Sequence, residues 1–251
     1  MTTTAVLAGR GLREMRRTPE ALFPTIFIPM FFLVVNVGQA GRIFPTGSTE
    51  FLHGQGYGAF QLPSSMLLAA SFGSAALFLV EEIEGGYFDK LRATPASRSA
   101  IVLGRLLSEA VKGLAIAAIL VLLALPFHIH IASGPIGFLL LIVLTSSWGV
   151  VYAGFMQLIA LKTRSAAATN SGGLIFFPLL FLTPNFVPRN MLTHPMEIAA
   201  TYNPVTYVME GMRSLILEPL NWGRIGAGFL VIAISGGLML LLSVRMIRNY
   251  D

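Results

Sequence analysis

The 251 residues contain no cysteine, which excludes disulfides, thiolate nucleophiles and sulfur-rich metal sites. Charge is scarce: Asp, Glu, Lys and Arg fill 12% of positions, about half the share of an ordinary soluble domain. Lysine is rarer still, with three against fourteen arginines, and no lysine follows a glycine. A G-x-x-x-x-G-K-[ST] run is therefore missing, and with it any P-loop that could cradle ATP. H-E-x-x-H is also missing, and no nucleophile–base pairing stands out. His128 and His130 offer two metal ligands without a third, and a wet loop is the plainer reading. Gly54, Gly56 and Gly58 form a G-x-G-x-G run ahead of an apolar stretch rather than after a strand, which reads as a flexible loop.

What fills the chain instead is apolar: 55% of residues are hydrophobic and the mean hydropathy is +0.73. These residues fall into six runs, at about 21–40, 57–80, 105–125, 137–161, 166–182 and 225–244. Each approaches the ~20 residues that carry a helix across ~30 Å of hydrocarbon. None alternates as a transmembrane β-strand would. The expected fold class is an all-α polytopic membrane protein with six transmembrane helices. Pro24, Pro29, Pro63 and Pro178 lie inside runs and predict kinked, packed helices. Small residues on the second run (Ala69, Gly73, Ala76) and the sixth (Gly226, Gly228, Gly236, Gly237) predict close helix contacts.

The net charge of +5 does not imply nucleic acid, because the basic residues cluster at span ends. Twelve Lys and Arg fall in the N-terminal arm, the second and fourth loops and the C-terminal tail, against four on the opposite side. That asymmetry puts both termini in the cytoplasm, with a bacterial inner membrane as the expected location. The opening MTTTAVLAGRGLREMRR has no signal-peptide core and is expected in the mature chain. Val6, Leu7, Leu12 and Met15 alternate there with four arginines, so residues 1–20 read as an interfacial helix with guanidinium groups among lipid headgroups. A disordered basic tail is the other reading.

Two connecting segments carry more than topology. After Glu81 the second loop reads EEIEGGYFDKLRATPASRS. Gly85 and Gly86 interrupt the helix, and Tyr87, Phe88 and Leu91 then share one face of a short helix that Thr94 and Pro95 end. Such a turn suits docking into a groove on a soluble partner, or simply lies on lipid. Residues 183–224 hold too many apolar side chains for a free loop and predict one or two short re-entrant helices. Pro204 is a natural helix start there. Glu109 and Lys112, three apart on the third run, share a face and can pair near the cytoplasmic end, where snorkelling suffices.

Glu82, Glu84, Gly86, Thr94 and Pro95, with the short helix between them, resemble the signature of the ABC-2 family of transporter permeases, approximately E-x-E-x-G-T-hydrophobic-x-x-L-x-x-T-P. Tyr87 stands where Thr is usual, and Gly85 where a polar residue is commoner. Asn203-Pro204-Val-Thr-Tyr207, followed by Glu210 and Arg213, resembles the family's N-P-hydrophobic-T-aromatic element. The resemblance covers the whole chain, residues 1–251, as a single transmembrane domain. It implies that residues 81–104 hold a cytoplasmic coupling helix, with Glu82, Glu84, Gly86, Tyr87, Phe88, Leu91, Thr94 and Pro95 meeting an ATPase subunit. It implies that Asn203, Pro204, Tyr207, Glu210 and Arg213 belong to an outer gate. ATP and Mg would be bound by a partner and no cofactor by this chain. The implied assembly has two P-loop ATPase subunits and a second permease copy or a sister permease, in membrane lipid and without nucleic acid. An amphiphilic drug, lipid or polyketide is the expected cargo, moved out by alternating access and without catalysis by this chain. Met66, Phe72, Phe176, Phe177 and Phe181 are candidates to line its path, and lipid contact is the alternative for the same rings. Saccharide export and an intramembrane enzyme are the other functions considered. Trp148 and Trp222 do not make an aromatic ladder, and an enzyme would need clustered intramembrane acids, bases or metal ligands.

Overall fold

A computed structural model of the chain describes residues 8–10, 12–13, 19–72, 75–87, 90, 93–94 and 97–248. These residues are helical without any strand. With bounds set within the described residues, the helices used below are α1 (Pro19–Ala40), α2 (Tyr57–Ser71), α3 (Ala75–Glu84), α4 (Arg98–Ala124), α5 (Gly134–Thr163), α6 (Ala166–Gly173), α7 (Phe176–Phe181), α8 (His194–Tyr202), α9 (Pro204–Leu217) and α10 (Trp222–Arg248). Short 3-10 turns sit at Glu50–Leu52, Leu125–Phe127 and Arg189–Met191.

Among the described residues, four helices are long and apolar enough to cross a membrane: Phe23–Ala40, Ser99–Phe127, Gly134–Thr163 and Trp222–Ile247. The second and fifth expected spans are each divided in two. The second stops at Ser71, with Phe72 non-helical at ψ 70°, and resumes at Ala75. The fifth breaks at Leu174 and Ile175, where the amides bond three residues back, to Ser171 and Gly172. Pro178 lies four residues after Leu174. Its ring has no N–H for that carbonyl and crowds it, so the break precedes the proline rather than falling on it.

Helix ends also move relative to the apolar runs. Ser97 Oγ accepts from Ala100 N at 3.2 Å, so α4 starts at Arg98 and not at Arg105. The connecting loop is correspondingly shorter than 81–104. In α5 the helix begins at Gly134, with Pro135 in its first turn, and runs to Thr163.

The core is organised around α5, in which 16 of 30 residues are buried, whereas α1 and α10 bury few of theirs. It packs on α2, α3, α4, α6, α9 and α10. All of α2 except Ala70 is buried, including Gln61, Ser64, Ser65 and Ser71. Close approach depends on small residues. A Cβ on Gly149 would stand 3.2 Å from Ala70 O, and one on Gly228 3.2 Å from Tyr207 O. Gly226 and Gly237 face open space, so only part of the expected glycine stripe is a contact. Trp148 is buried and donates to Ser71 Oγ at 3.1 Å, while Trp222 is exposed.

The bundle thus has a loop end, with the described arm residues, the α3–α4 connection and the end of α10, and a lid end formed by residues 43–57, 125–133 and 183–224. His53 and Gly54, both at positive φ, turn the chain out of the 3-10 turn into α2. Gly58 in α2 rests on Ile129 and Val37. The G-x-G-x-G run is therefore a tight turn and a helix start, not an irregular loop.

Candidate functional site

At the loop end, Glu82 projects from α3 between two cations. Arg10 of the N-terminal arm and Arg105 of α4 both form ion pairs with it, and Glu82 is only 9% exposed. The Arg10 guanidinium also stacks 4.5 Å from the centre of the Tyr87 ring. Ser108 Oγ donates to Ala8 O at 3.0 Å, so the arm is bonded to α4 as well. Residues 8–10 and 12–13 are helical. Arg10 meets a protein carboxylate there. One buried carboxylate joins the arm, α3 and α4 into a single charged joint.

Glu84, two residues further on, does different work. Its Oε1 accepts from Ala166 N at 3.3 Å, at the start of α6. A carboxylate there satisfies a free amide and faces the positive end of the helix. Gly86, at φ +69°, then turns the chain out of α3 in a conformation that favours glycine. Tyr87 is 43% exposed and Thr94 is exposed. Phe88, Leu91 and Pro95 lie outside the described residues. Further along α4, Glu109 and Lys112 form the expected pair, but their side chains are only 3% and 9% exposed. Because α4 starts at Arg98, Glu109 lies about 16 Å along it. The pair is a buried one, and snorkelling does not describe it.

At the lid end, five residues grouped by the N-P element converge on α9. Asn203 accepts from Val205 N at 3.0 Å and donates to Leu179 O at 2.6 Å, capping α9 and tying it to α7. Pro204 occupies the first turn of α9. Tyr207 donates to Thr201 O at 2.8 Å. Arg189 binds Glu210 through two bonds of 3.1 Å and lies 5.4 Å from the Tyr207 ring centre. Arg213 is buried; it donates to Phe60 O (3.2 Å) and Pro184 O (3.0 Å) and contacts Met209 Sδ (3.4 Å). Gln55 adds a further stitch, donating to Ile216 O at 2.8 Å and accepting from His130 N at 3.1 Å.

The aromatic path candidates separate. Met66 is fully buried and Phe176, 2% exposed, packs against Tyr152, so both serve the interior of the bundle. Phe72 contacts Phe177 with ring centres 6.1 Å apart. Phe177 and Phe181 line a cleft with Asn36, Ser64 and Asn185 between α1, α2 and α7. Its volume is about 20 Å³, room for about one water.

Arg10, Arg105, Ala166, Arg189 and Gln55 were not singled out by motif. Arg10 and Arg105 register in the sequence only as topology charges, although they lie 72 and 23 positions from Glu82 and meet it in space.

A cysteine-free helical bundle with four candidate spans, a loop-end charged joint and a capped lid defines a polytopic membrane protein with a transport architecture. Residues 2–217 match the family described as ABC-2 type transporter, and the chain belongs to that family. It is also similar to the daunorubicin resistance ABC transporter permease protein DrrB1 of Streptomyces coeruleorubidus, with 24% identity over 249 residues, covering 96% of this chain and 84% of the relative. Family membership assigns the chain to the membrane, to transport and to a partnership with ATPase subunits.

Proposed function

We propose that the chain is the membrane permease subunit of an ATP-driven exporter, and that the loop between α3 and α4 receives a separate P-loop ATPase. The observation that carries this reading is the Glu82 joint. A push on Tyr87 and the neighbouring residues acts on Glu82 through α3, and Glu82 is ion-paired to both the arm and α4. Glu84 extends the connection to α6. A displacement of a few ångströms at the loop therefore reaches four elements at once. ATP binding by the partner biases the bundle between two states only through its different affinity for them.

In this reading the loop faces the cytoplasm, as the Lys and Arg asymmetry favours, and the lid faces outward. Two permeases, either two copies or this chain with a sister, enclose the path, and two ATPase subunits drive it. The small cleft beside Phe177 and Phe181 supports this, since a cargo-sized path needs a second chain or another conformation. The cargo is an amphiphilic drug, lipid or polyketide. The relative's name points to daunorubicin as a first probe. The test is affinity purification from bacterial membranes, followed by reconstitution of the chain with its co-purifying ATPase. ATP-dependent uptake of daunorubicin or a related fluorescent amphiphile into inside-out vesicles is expected only with both components. Stable purification without any ATPase, or uptake by the chain alone on adding ATP, would overturn the reading.

A further inference from the structure

We propose that the cavity at the lid end binds an organic anion with an apolar body, its acid group held by Arg213. The cavity measures about 850 Å³, within the range of small-molecule sites. It lies between α9, the Glu50–Leu52 turn and the Arg189–Met191 turn. Its sign is set by which of its charges are already neutralised. Arg189 is engaged two-pronged by Glu210. Arg224 is held by Glu218 at 2.5 Å, and His53 Nε2 stands 3.6 Å from the same carboxylate. Glu50 is exposed at the start of its turn.

Arg213 differs. Its side chain is 8% exposed and lines the cavity, and no carboxylate among the described residues forms an ion pair with it. It spends three of its five N–H groups on two carbonyls and a thioether. The face of the Phe60 ring lies 3.5 Å from its guanidinium carbon. These partners orient the fork without neutralising it. A desolvated guanidinium keeps its proton, and a carboxylate, sulfonate or phosphate is the complement its planar fork fits best.

Part of the wall is apolar, between the polar and charged side chains. Phe44, Phe51 and Phe60 form an aromatic group with neighbouring ring centres 5.4 and 5.0 Å apart. Met191 and Leu217 complete a surface for the rest of the molecule. A soluble amphiphilic acid and the head of an anionic lipid share this chemistry. The proposal is independent of the direction of transport and of the ATPase contact.

The test uses the full chain in phosphatidylcholine nanodiscs, titrated with 11-(dansylamino)undecanoic acid and separately with its methyl ester, after subtraction of empty discs. The acid is expected to bind saturably, at least tenfold more tightly than the ester. Met191, 54% exposed, offers a perturbation that spares the core. Met191→Glu places a carboxylate on the wall and should weaken the acid at least fivefold while leaving the ester unchanged. Arg213→Met should remove the preference for the acid, and Arg213→Lys should retain part of it. Equal binding of acid and ester, or acid binding indifferent to Met191→Glu, overturns the proposal, as does signal no greater than that of empty discs. Adding phosphatidylglycerol to the discs assigns the source: displacement of the bound acid identifies a lipid head, and lack of displacement a soluble amphiphile, and both support the site.

Discussion

Replacing Glu82 by Gln removes the carboxylate that Arg10 and Arg105 share. Breaking a buried ion pair from one side costs about 3–5 kcal/mol, because the partner is left uncompensated. Arg10 is 30% exposed and Arg105 15%, so water relieves part of that cost and about 2–3 kcal/mol is a reasonable expectation. For a chain of this size that corresponds to a Tm lowered by roughly 4–12 °C. The sign of the coupling is more diagnostic than its size. With Glu82 neutral, Arg10 and Arg105 no longer share that carboxylate, so Arg10→Gln added to Glu82→Gln should cost less than Arg10→Gln alone. Thermal unfolding of the single and double variants in detergent forms the required cycle. The reasoning fails if the two losses add to within about 0.5 kcal/mol, since independent sites, not a shared joint, give that result. In vesicles with the ATPase partner bound, Glu82→Gln should lower transport at least tenfold without releasing the partner.

Further outcomes follow from the same contacts. Phe88→Asp together with Leu91→Asp should abolish partner-stimulated transport while membrane insertion, measured by protease accessibility, is unchanged; full transport would remove the loop from the docking role. Asn203→Ala loses the α9 cap and strands Leu179 O, and should cost about 2–3 kcal/mol in thermal unfolding. Gly228→Leu must displace Tyr207 O, 3.2 Å from its new Cβ, and should destabilise by about 1–3 kcal/mol. By contrast Gly237→Leu, with nothing within 4 Å of its Cβ, should be neutral in the same assay.

Much of the fold was legible because apolar length and proline placement are local properties. The runs around 21–40, 137–161 and 225–244 each lie within a single continuous helix. Pro178 marked the broken fifth run, but the break falls where its ring meets the carbonyl of Leu174, four positions earlier. The division of the second run at Phe72 was not apparent, since Phe72 is apolar and the run continues on both sides of it. The α4 start was misplaced because Ser97 caps a turn that is too polar to count as membrane.

Site residues divide along the same line. Glu82 and Glu84 were marked by the resemblance, but their partners are 72, 23 and 82 positions away, and nothing in spacing or composition pairs them. Arg10 and Arg105 looked like headgroup or topology charges, which is what most basic residues beside a span are. Met66 and Phe176 carried no signal that separates a path from a core, because both select large apolar side chains. The lid cavity was invisible for a similar reason: it arises where two distant turns and α9 leave space around one buried guanidinium.

The absence of native cysteine makes one measurement unusually clean, because a Tyr87→Cys variant carries a single thiol. Co-expressed with the ATPase subunit and treated with a short bifunctional thiol–amine reagent, it should cross-link to that subunit in high yield, and ATP with Mg should change the yield. A Tyr87→Cys chain that remains uncrosslinked in actively transporting vesicles, while a cysteine at exposed Trp222 of the lid captures the ATPase instead, would contradict the account.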